Sequence, residues 1–178
     1  GIGLSMERFN KIIKIDEDNL QVIVEPGVIT QVLQESVREK GLFYPPDPAS
    51  KGSCFIGGNV SENSGGPKAV KYGVTSDYVL NLEMVLPNGE IIWTGANTIK
   101  NSTGYNITQL IVGSEGTLAI VTKAVLKVIP ALKEKVLMVA GFMNATDACA
   151  TVAPLFMKGL EPALVELLDE KGISLAIE

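Results

Sequence analysis

The chain has no histidine. That absence removes Ser/His/Asp and Cys/His nucleophilic machinery and nearly every ordinary zinc or iron site, because imidazole is the usual base and a leading metal ligand. The two cysteines, Cys54 and Cys149, lie far apart and make no CxxC pair. They read as reduced structural thiols of a cytoplasmic protein, neither a disulfide nor a metal site. A metal would have to be held by oxygen alone, and no EF-hand spacing occurs. No apolar run reaches the roughly 18 residues a membrane span needs. The opening GIGLSMERFN lacks the basic-then-apolar order of a signal peptide. Basic excess is missing as well: 15 Lys and Arg stand against 20 Asp and Glu, a net charge of −5. This argues against a nucleic-acid partner, since phosphate backbones are held mainly by Lys and Arg. If the chain takes part in chemistry, the reactive group belongs to a cofactor.

What remains is ample core material. The chain is 46% hydrophobic and 20% charged over 178 residues, enough for one domain or one and a half. KIIKID (11–16) and LQVIVEP (20–26) are β-branched runs around EDN, a hairpin signal. VITQVLQESVREKG (28–41) places Val28, Val32, Leu33 and Val37 near one helical face, with Gly41 at the stop. YVLNLEMVLPNGEIIWTG (78–95) is a second hairpin, around Asn88-Gly89, a dipeptide that tolerates positive φ at both turn positions. TQLIVGSEGTLAIVTKAVLKVIP (108–130) holds a short apolar segment, a turn and a long strand. Beyond Pro130 the pattern predicts strand (135–142), helix (144–159, with Pro154 kinking it or delaying its start) and strand (162–169), then EKGISLAIE without a finished element.

Between these, residues 44–73 show no periodicity and gather glycine and proline at low charge, which predicts an ordered functional loop. Three glycine-rich segments (44–58, 57–73 and 113–117) offer backbone N–H groups without Cβ obstruction, suited to a pyrophosphate or a flat ring. In PPDPAS the prolines stiffen the loop, leaving Ala49, Ser50, Lys51 and Gly52 as amide donors, with the Ser50 and Ser53 hydroxyls beside them. Asp47 would repel phosphate, so its carboxylate is expected to close an Asx-turn onto Ala49. Neither a Walker A sequence nor a strand-borne GxGxxG is present. GSEGT resembles a nucleophile elbow only superficially, for Ser114 has no histidine to activate it.

Five ordered blocks carry a family resemblance: EPGV (25–28), GLFYPPDPAS (41–50), IGGNVSENSGG (56–66), KYGVTSDYVLNLEMVLPNGEI (71–91) and LIVGSEGTLAIVTKAVLKVIP (110–130). They resemble the FAD-linked oxidases of the vanillyl-alcohol-oxidase (PCMH-type) fold, nearest the group of the glycolate oxidase flavin subunit and D-lactate dehydrogenase. The resemblance implies an α+β fold, an antiparallel sheet with flanking helices, followed by the start of a ferredoxin-like cap domain. Residues 1–131 would be a partial FAD-binding domain lacking the N-terminal phosphate-loop subdomain, and 132–178 the beginning of the substrate domain. FAD would be held by Pro46, Asp47, Pro48, Ala49, Ser50 and Ser53 at the flavin and pyrophosphate. Gly57, Gly58, Asn63, Ser64 and Gly65 would line its spine, and Glu115, Gly116, Ala119, Ile120 and Val121 its adenine-ribose end. Gly27 would face it from the end of a strand.

The implied activity is oxidation of a small 2-hydroxy acid to the 2-oxo acid, with electrons leaving to a partner subunit, a quinone or another acceptor. A non-catalytic cofactor-binding fragment, or another flavin reductase on the same fold, stays open as an alternative. The chain reads as the middle of a longer protein, with no catalytic residue of its own. By itself it is expected to be inactive and colourless. Phe55, Ile56 and Val60 are expected to be exposed, and either to drive self-association or to leave the 44–73 loop locally disordered, association being favoured.

Overall fold

The computed structural model describes residues 2–177. Strands β1 (Ile12–Asp16) and β2 (Gln21–Val24) form the first hairpin. Asp16 shapes the turn: one carboxylate oxygen accepts the Asn19 amide at 3.1 Å, and Leu20 takes the left-handed conformation, φ 52°. The period-2 alternation sends Val22 and Val24 fully into the core.

Helix α1 (Thr30–Arg38) follows, burying Leu33 and Val37. Val32, expected on that face, is 47% exposed, because the helix begins only at Thr30 and its apolar stripe passes through positions 33 and 37. Strand β3 is Leu42–Phe43. The stretch 44–73, expected to lack regular structure, contains two short helices, α2 (Ile56–Glu62) and α3 (Ala69–Tyr72), and a 3₁₀ turn at Thr75–Asp77 follows it. Gly57 and Gly58 hid α2, since each costs roughly 1 kcal/mol of helix propensity. Tertiary burial overrides that cost: Ile56 and Val60, one turn apart, are both fully buried, each contributing about 1.5–3 kcal/mol. They are therefore not the exposed apolar patch the sequence suggested; of that trio only Phe55 reaches solvent, at 37%.

Strands β4 (Val79–Val85), β5 (Ile91–Trp93) and β6 (Ile120–Lys127) complete a five-stranded antiparallel sheet ordered β1-β2-β6-β4-β5. Its central strand comes last in sequence, and the consecutive buried run Ala124-Val125-Leu126 explains why: only a strand covered on both faces reads so. Helix α4 (Ile107–Ile111), capped by Asn106, packs on β4. A two-residue strand β7 (Ile129–Pro130) pairs with β3. One hydrophobic cluster unites Val22, Val24, Leu82 and Leu126 of the sheet with Leu33, Val37, Ile56 and Val60 of the helices.

Past residue 131 the expectations fail in part. Helices α5 (Ala145–Ala150), α6 (Val152–Met157) and α7 (Glu170–Ile177) form. Pro154 falls in the first turn of α6, where a missing N–H costs nothing. The predicted strands at 135–142 and 162–169 are absent, and EKGISLAIE supplies most of α7 instead of trailing off. A strand needs a neighbour for its N–H and C=O groups, and among the described residues none lies alongside. Val136, Leu137 and Val139 are accordingly 94%, 85% and 87% exposed.

The second hairpin forms with a different turn from the one Asn-Gly implies. Gly89 N–H donates to the Leu86 carbonyl at 2.8 Å, and Leu86 N–H to that of Glu90 at 2.9 Å. Pro87 occupies the first central position, and its fixed negative φ forbids a turn with two positive φ values. Only Gly89 is left-handed, φ +87°, with open space where a Cβ would point. Gly89→Val should therefore cost about 1–2 kcal/mol by backbone strain alone, read as a lowered urea midpoint with an unchanged slope.

Candidate functional site

The loop that begins at Tyr44 is pinned from three sides. From α1, Gln34 Nε2 donates to the carbonyls of Pro46 at 2.8 Å and Tyr44 at 3.3 Å. From the second glycine-rich segment, Gly66 meets the loop backbone to backbone: a Cβ there would stand 2.0 Å from the Asp47 carbonyl oxygen. The third tie is ionic. The buried Asp47 carboxylate receives Lys68 Nζ at 2.6 Å on one oxygen, while Lys51 Nζ lies 2.8 Å from the other. The Asx-turn onto Ala49 does not form: Lys68 makes a charge-assisted hydrogen bond to one oxygen, and the other faces Lys51 as an ion pair without a hydrogen bond of its own. Burial pushes the Asp47 carboxyl upward, and the bonds from Lys51 and Lys68 outweigh it, holding the group below its ordinary range. The trio carries one net positive charge in a chain of −5.

Past Pro48 the chain turns outward, and Ala49, Ser50, Gly52 and Ser53 are exposed. Lys51 N–H, expected to be free, is used by the Pro48 carbonyl at 2.9 Å, and Ser53 N–H by that of Ser50 at 2.8 Å. Among the described residues no acceptor reaches the amides of Ala49, Ser50 or Gly52. Gly58, in the first turn of α2, is likewise unclaimed and exposed. Beneath this surface a polar cluster fixes the α1–α2 junction. Asn59 Nδ2 donates to Thr30 Oγ1 at 2.7 Å, and that hydroxyl lies 3.2 Å from Cys54 Sγ.

The remaining candidates gather at the other end of α2. That helix stops because Asn63 adopts φ 53°, and Asn63 Oδ1 accepts the Ser76 amide at 2.8 Å. The Ser64 carbonyl accepts both the amide and hydroxyl of Thr75, at 3.0 and 2.7 Å. The 113–117 turn docks here: Gly113 N–H reaches the Val60 carbonyl and Glu115 N–H that of Ser61, each at 2.9 Å. These bonds satisfy carbonyls that every helix end leaves open. Glu115 and Gly116 project outward in left-handed conformations, φ 52° and 71°. Ala119 leads into β6, where Ile120 and Val121 pair with Val85 and Met84 of β4. The candidates thus form two clusters joined by α2, a helix roughly 10 Å long.

The glycines divide by what surrounds them. A Cβ on Gly27 would strike the carbonyl oxygens of Met6 and Phe9 at 2.4 and 2.8 Å, and one on Gly57 the Pro26 Cβ at 2.7 Å. One on Gly65 would touch Val74 Cγ1 at 3.0 Å. Gly58 and Gly116 have nothing within 4 Å. The first group is small so that chain can pack on chain; only the second leaves room for a ligand. Sequence reasoning missed Thr30, Gln34, Asn59 and Lys68, which position the loop. The available signal was faint: Thr30 and Gln34 are one turn apart on a helix whose buried face is otherwise apolar. What the surface can do is bind an elongated anionic molecule, with unclaimed amides and Lys51 at one end and bare glycine along its length.

Because the Asp47 carboxyl is depressed in the folded chain, its contribution to stability is present above its unfolded value, about 3.9, and is lost as pH falls through the lower folded value. Asp47→Asn should therefore lower the urea midpoint at pH 7, with the gap to wild type closing below about pH 4. A gap of constant size down to pH 2 would contradict the ion-paired assignment.

Residues 1–95 match the family model described as FAD binding domain. The glycolate oxidase subunit GlcD of Bacillus subtilis is 48% identical over 96% of this chain and 36% of its own length. A D-lactate dehydrogenase of Anaerostipes hadrus is 43% identical over 97% of this chain and 36% of its own. The chain thus spans little more than a third of these relatives. Among solved structures, an alkyldihydroxyacetonephosphate synthase superposes with a TM-score of 0.80 at 25% identity, covering 97% of this chain and 31% of that one. With its antiparallel α+β sheet, its glycine-rich loops on α2 and a family match over more than half its length, the chain belongs to the FAD-binding-domain family, whose cofactor is FAD.

Proposed function

We propose that the longer protein of which this chain is a part oxidises a small 2-hydroxy acid, of the glycolate or D-lactate type, to the 2-oxo acid. The observation that carries the reading is the α2 surface: unclaimed amides at Ala49, Ser50, Gly52 and Gly58, a local positive charge, and bare α-carbons at Gly58 and Gly116. These residues fit FAD. Donors at 49–52 suit its diphosphate, Gly58 admits its backbone-side approach, and 115–121 lie where a second, more distant part of the molecule would rest. When bound, FAD supplies the acceptor for the hydride leaving the substrate α-carbon. Pro46 and Pro48 keep the loop rigid, and Asp47 works from behind, through the lysines. Asn63, Ser64 and Gly65 hold the far end of α2 in place.

The chain offers no histidine for the substrate hydroxyl proton, so that step is assigned to a substrate-side domain opening at residue 132. The first domain is read as 1–131, because β6 and β7 complete its sheets. The relatives named for glycolate and D-lactate support the substrate class, and the word subunit in one of them supports an electron-accepting partner protein over a quinone. No helix among the described residues is long and apolar enough to cross a membrane, and both cysteines are free, which favours a cytoplasmic setting.

Two measurements on the full-length protein test this reading. Anaerobic addition of glycolate or D-lactate should bleach the visible band of bound FAD; a retained band with both acids would overturn the hydroxy-acid assignment. Gly58→Val should weaken FAD binding roughly tenfold or more while the melting temperature of the apo-protein stays near wild type, since the new side chain points into open space. Gly66→Ala should do the reverse first, lowering the melting temperature by several degrees.

A further inference from the structure

Resting on the FAD reading above, the geometry points to Lys68 as a positioning residue for the cofactor: through Asp47 it holds the 46–53 loop in its binding shape, and it leaves Lys51 as the cation that faces the ligand. Lys68 belongs to the other glycine-rich segment, 21 positions away from Asp47, and its Nζ to Asp47 Oδ2 bond is the side-chain link between the two segments. It arrives with little freedom. Its ammonium lies 5.5 Å from the centre of the Phe43 ring, and the turn that carries it is closed by Ala69 N–H on the Gly66 carbonyl at 2.9 Å. The Lys68 side chain is 27% exposed, Lys51 42% and Asp47 10%. Two lysines thus share one sunken carboxylate, and the outer one is a loop neighbour of the unclaimed amides at Ala49, Ser50 and Gly52.

A buried carboxylate must be neutralised. With Lys68 present, Asp47 is compensated from behind and Lys51 can share its charge with a bound diphosphate. Without Lys68, Lys51 is left as the sole counter-ion and is drawn inward. The loop face then loses its cation, and the cross-tie that keeps its amides convergent is gone. Lys68 touches no part of the exposed amide row, so its effect on FAD is indirect.

The test is a titration of the full-length apo-protein with FAD, followed by quenching of flavin fluorescence, alongside the melting temperature of each apo-protein. Lys68→Met is expected to raise the FAD dissociation constant roughly tenfold with a melting temperature a few degrees below wild type, as for Asp47→Asn, and the apo-protein still folded at the titration temperature. Lys68→Arg should recover most of the affinity. Asp47→Asn combined with Lys68→Met should bind no worse than the weaker single variant, because both act through one bond. If Lys68→Met does not fold, Lys68→Gln, which keeps a donor without the charge, carries the same comparison. Unchanged affinity in the uncharged variant, no recovery in Lys68→Arg, or additive losses in the double variant would each overturn the assignment. Wild-type protein that fails to take up FAD would overturn the cofactor reading and this one with it, whereas wild-type binding with unaffected variants removes only the role of Lys68.

Discussion

The arrangement of the site depends on one contact between two stretches of backbone. The Asp47 carbonyl lies where a side chain on Gly66 would have to be, so two loops separated by a helix run against each other with no atoms between. Everything nearby serves that contact. Gln34 holds the Pro46 carbonyl from α1, Lys68 ties the Asp47 carboxylate from beyond Gly66, and the Thr30–Asn59 bond keeps α1 and α2 in register beneath. Proline reduces the entropy the loop must lose in taking this shape. Within the loop the amides of Ala49, Ser50 and Gly52 are left without an acceptor among the described residues, while those of Lys51, Ser53 and Cys54 close its turns.

Glycine has two separate tasks here, and composition alone cannot tell them apart. Gly27, Gly57, Gly65 and Gly66 are small because another part of the chain occupies the space, whereas Gly58 and Gly116 are small beside open surface. A run such as GGNVSENSGG invites the conclusion that a ligand passes everywhere along it. In the folded chain most of that closeness is between protein and protein, and the open space narrows to Gly58 at the α2 start and Gly116 in the 113–117 turn. The two tasks are coupled, since the packed glycines bring the open ones onto a common surface.

The strands of the five-stranded sheet were readable because the signal is local and its period is two: Val22 and Val24 point inward, and β6 shows the unbroken apolar run of a central strand. Helix α2 was not readable, because its two glycines argue against helix and the burial of Ile56 and Val60 that forms it is a tertiary effect. Asp47 was misplaced for a similar reason. An Asx-turn needs only neighbours within a few residues, whereas its actual partner Lys68 is 21 residues away. Pro87 was visible and decisive, yet the adjacent Asn-Gly pair dominated the reading of the turn. The family resemblance reached the fold class and the FAD-binding family, which local rules do not reach, because its blocks are spread along the chain and carry long-range pairing with them.

Order is unevenly distributed along the chain. The cluster of buried hydrophobics extends from Val22 to Val128, while among the described residues beyond 131 only Ala148 joins the buried set. One tie between the regions is the pair of contacts from Lys71 to Glu161, at 3.4 Å to its carbonyl and 3.8 Å to its carboxylate, both at the surface. Exposed ion pairs of this kind contribute little, about 0–1 kcal/mol. Stability therefore resides in the sheet, α1 and α2, and the loops that carry the unclaimed amides and the 113–117 turn are all rooted in that part. The closing turns of those loops, at Pro48–Lys51 and Ser114–Thr117, hang from buried residues at both ends, Tyr44 and Ile56 for one, Val112 and Ala124 for the other. The unclaimed amides of Ala49, Ser50 and Gly52 are thus carried on loops anchored in the fold's main buried cluster.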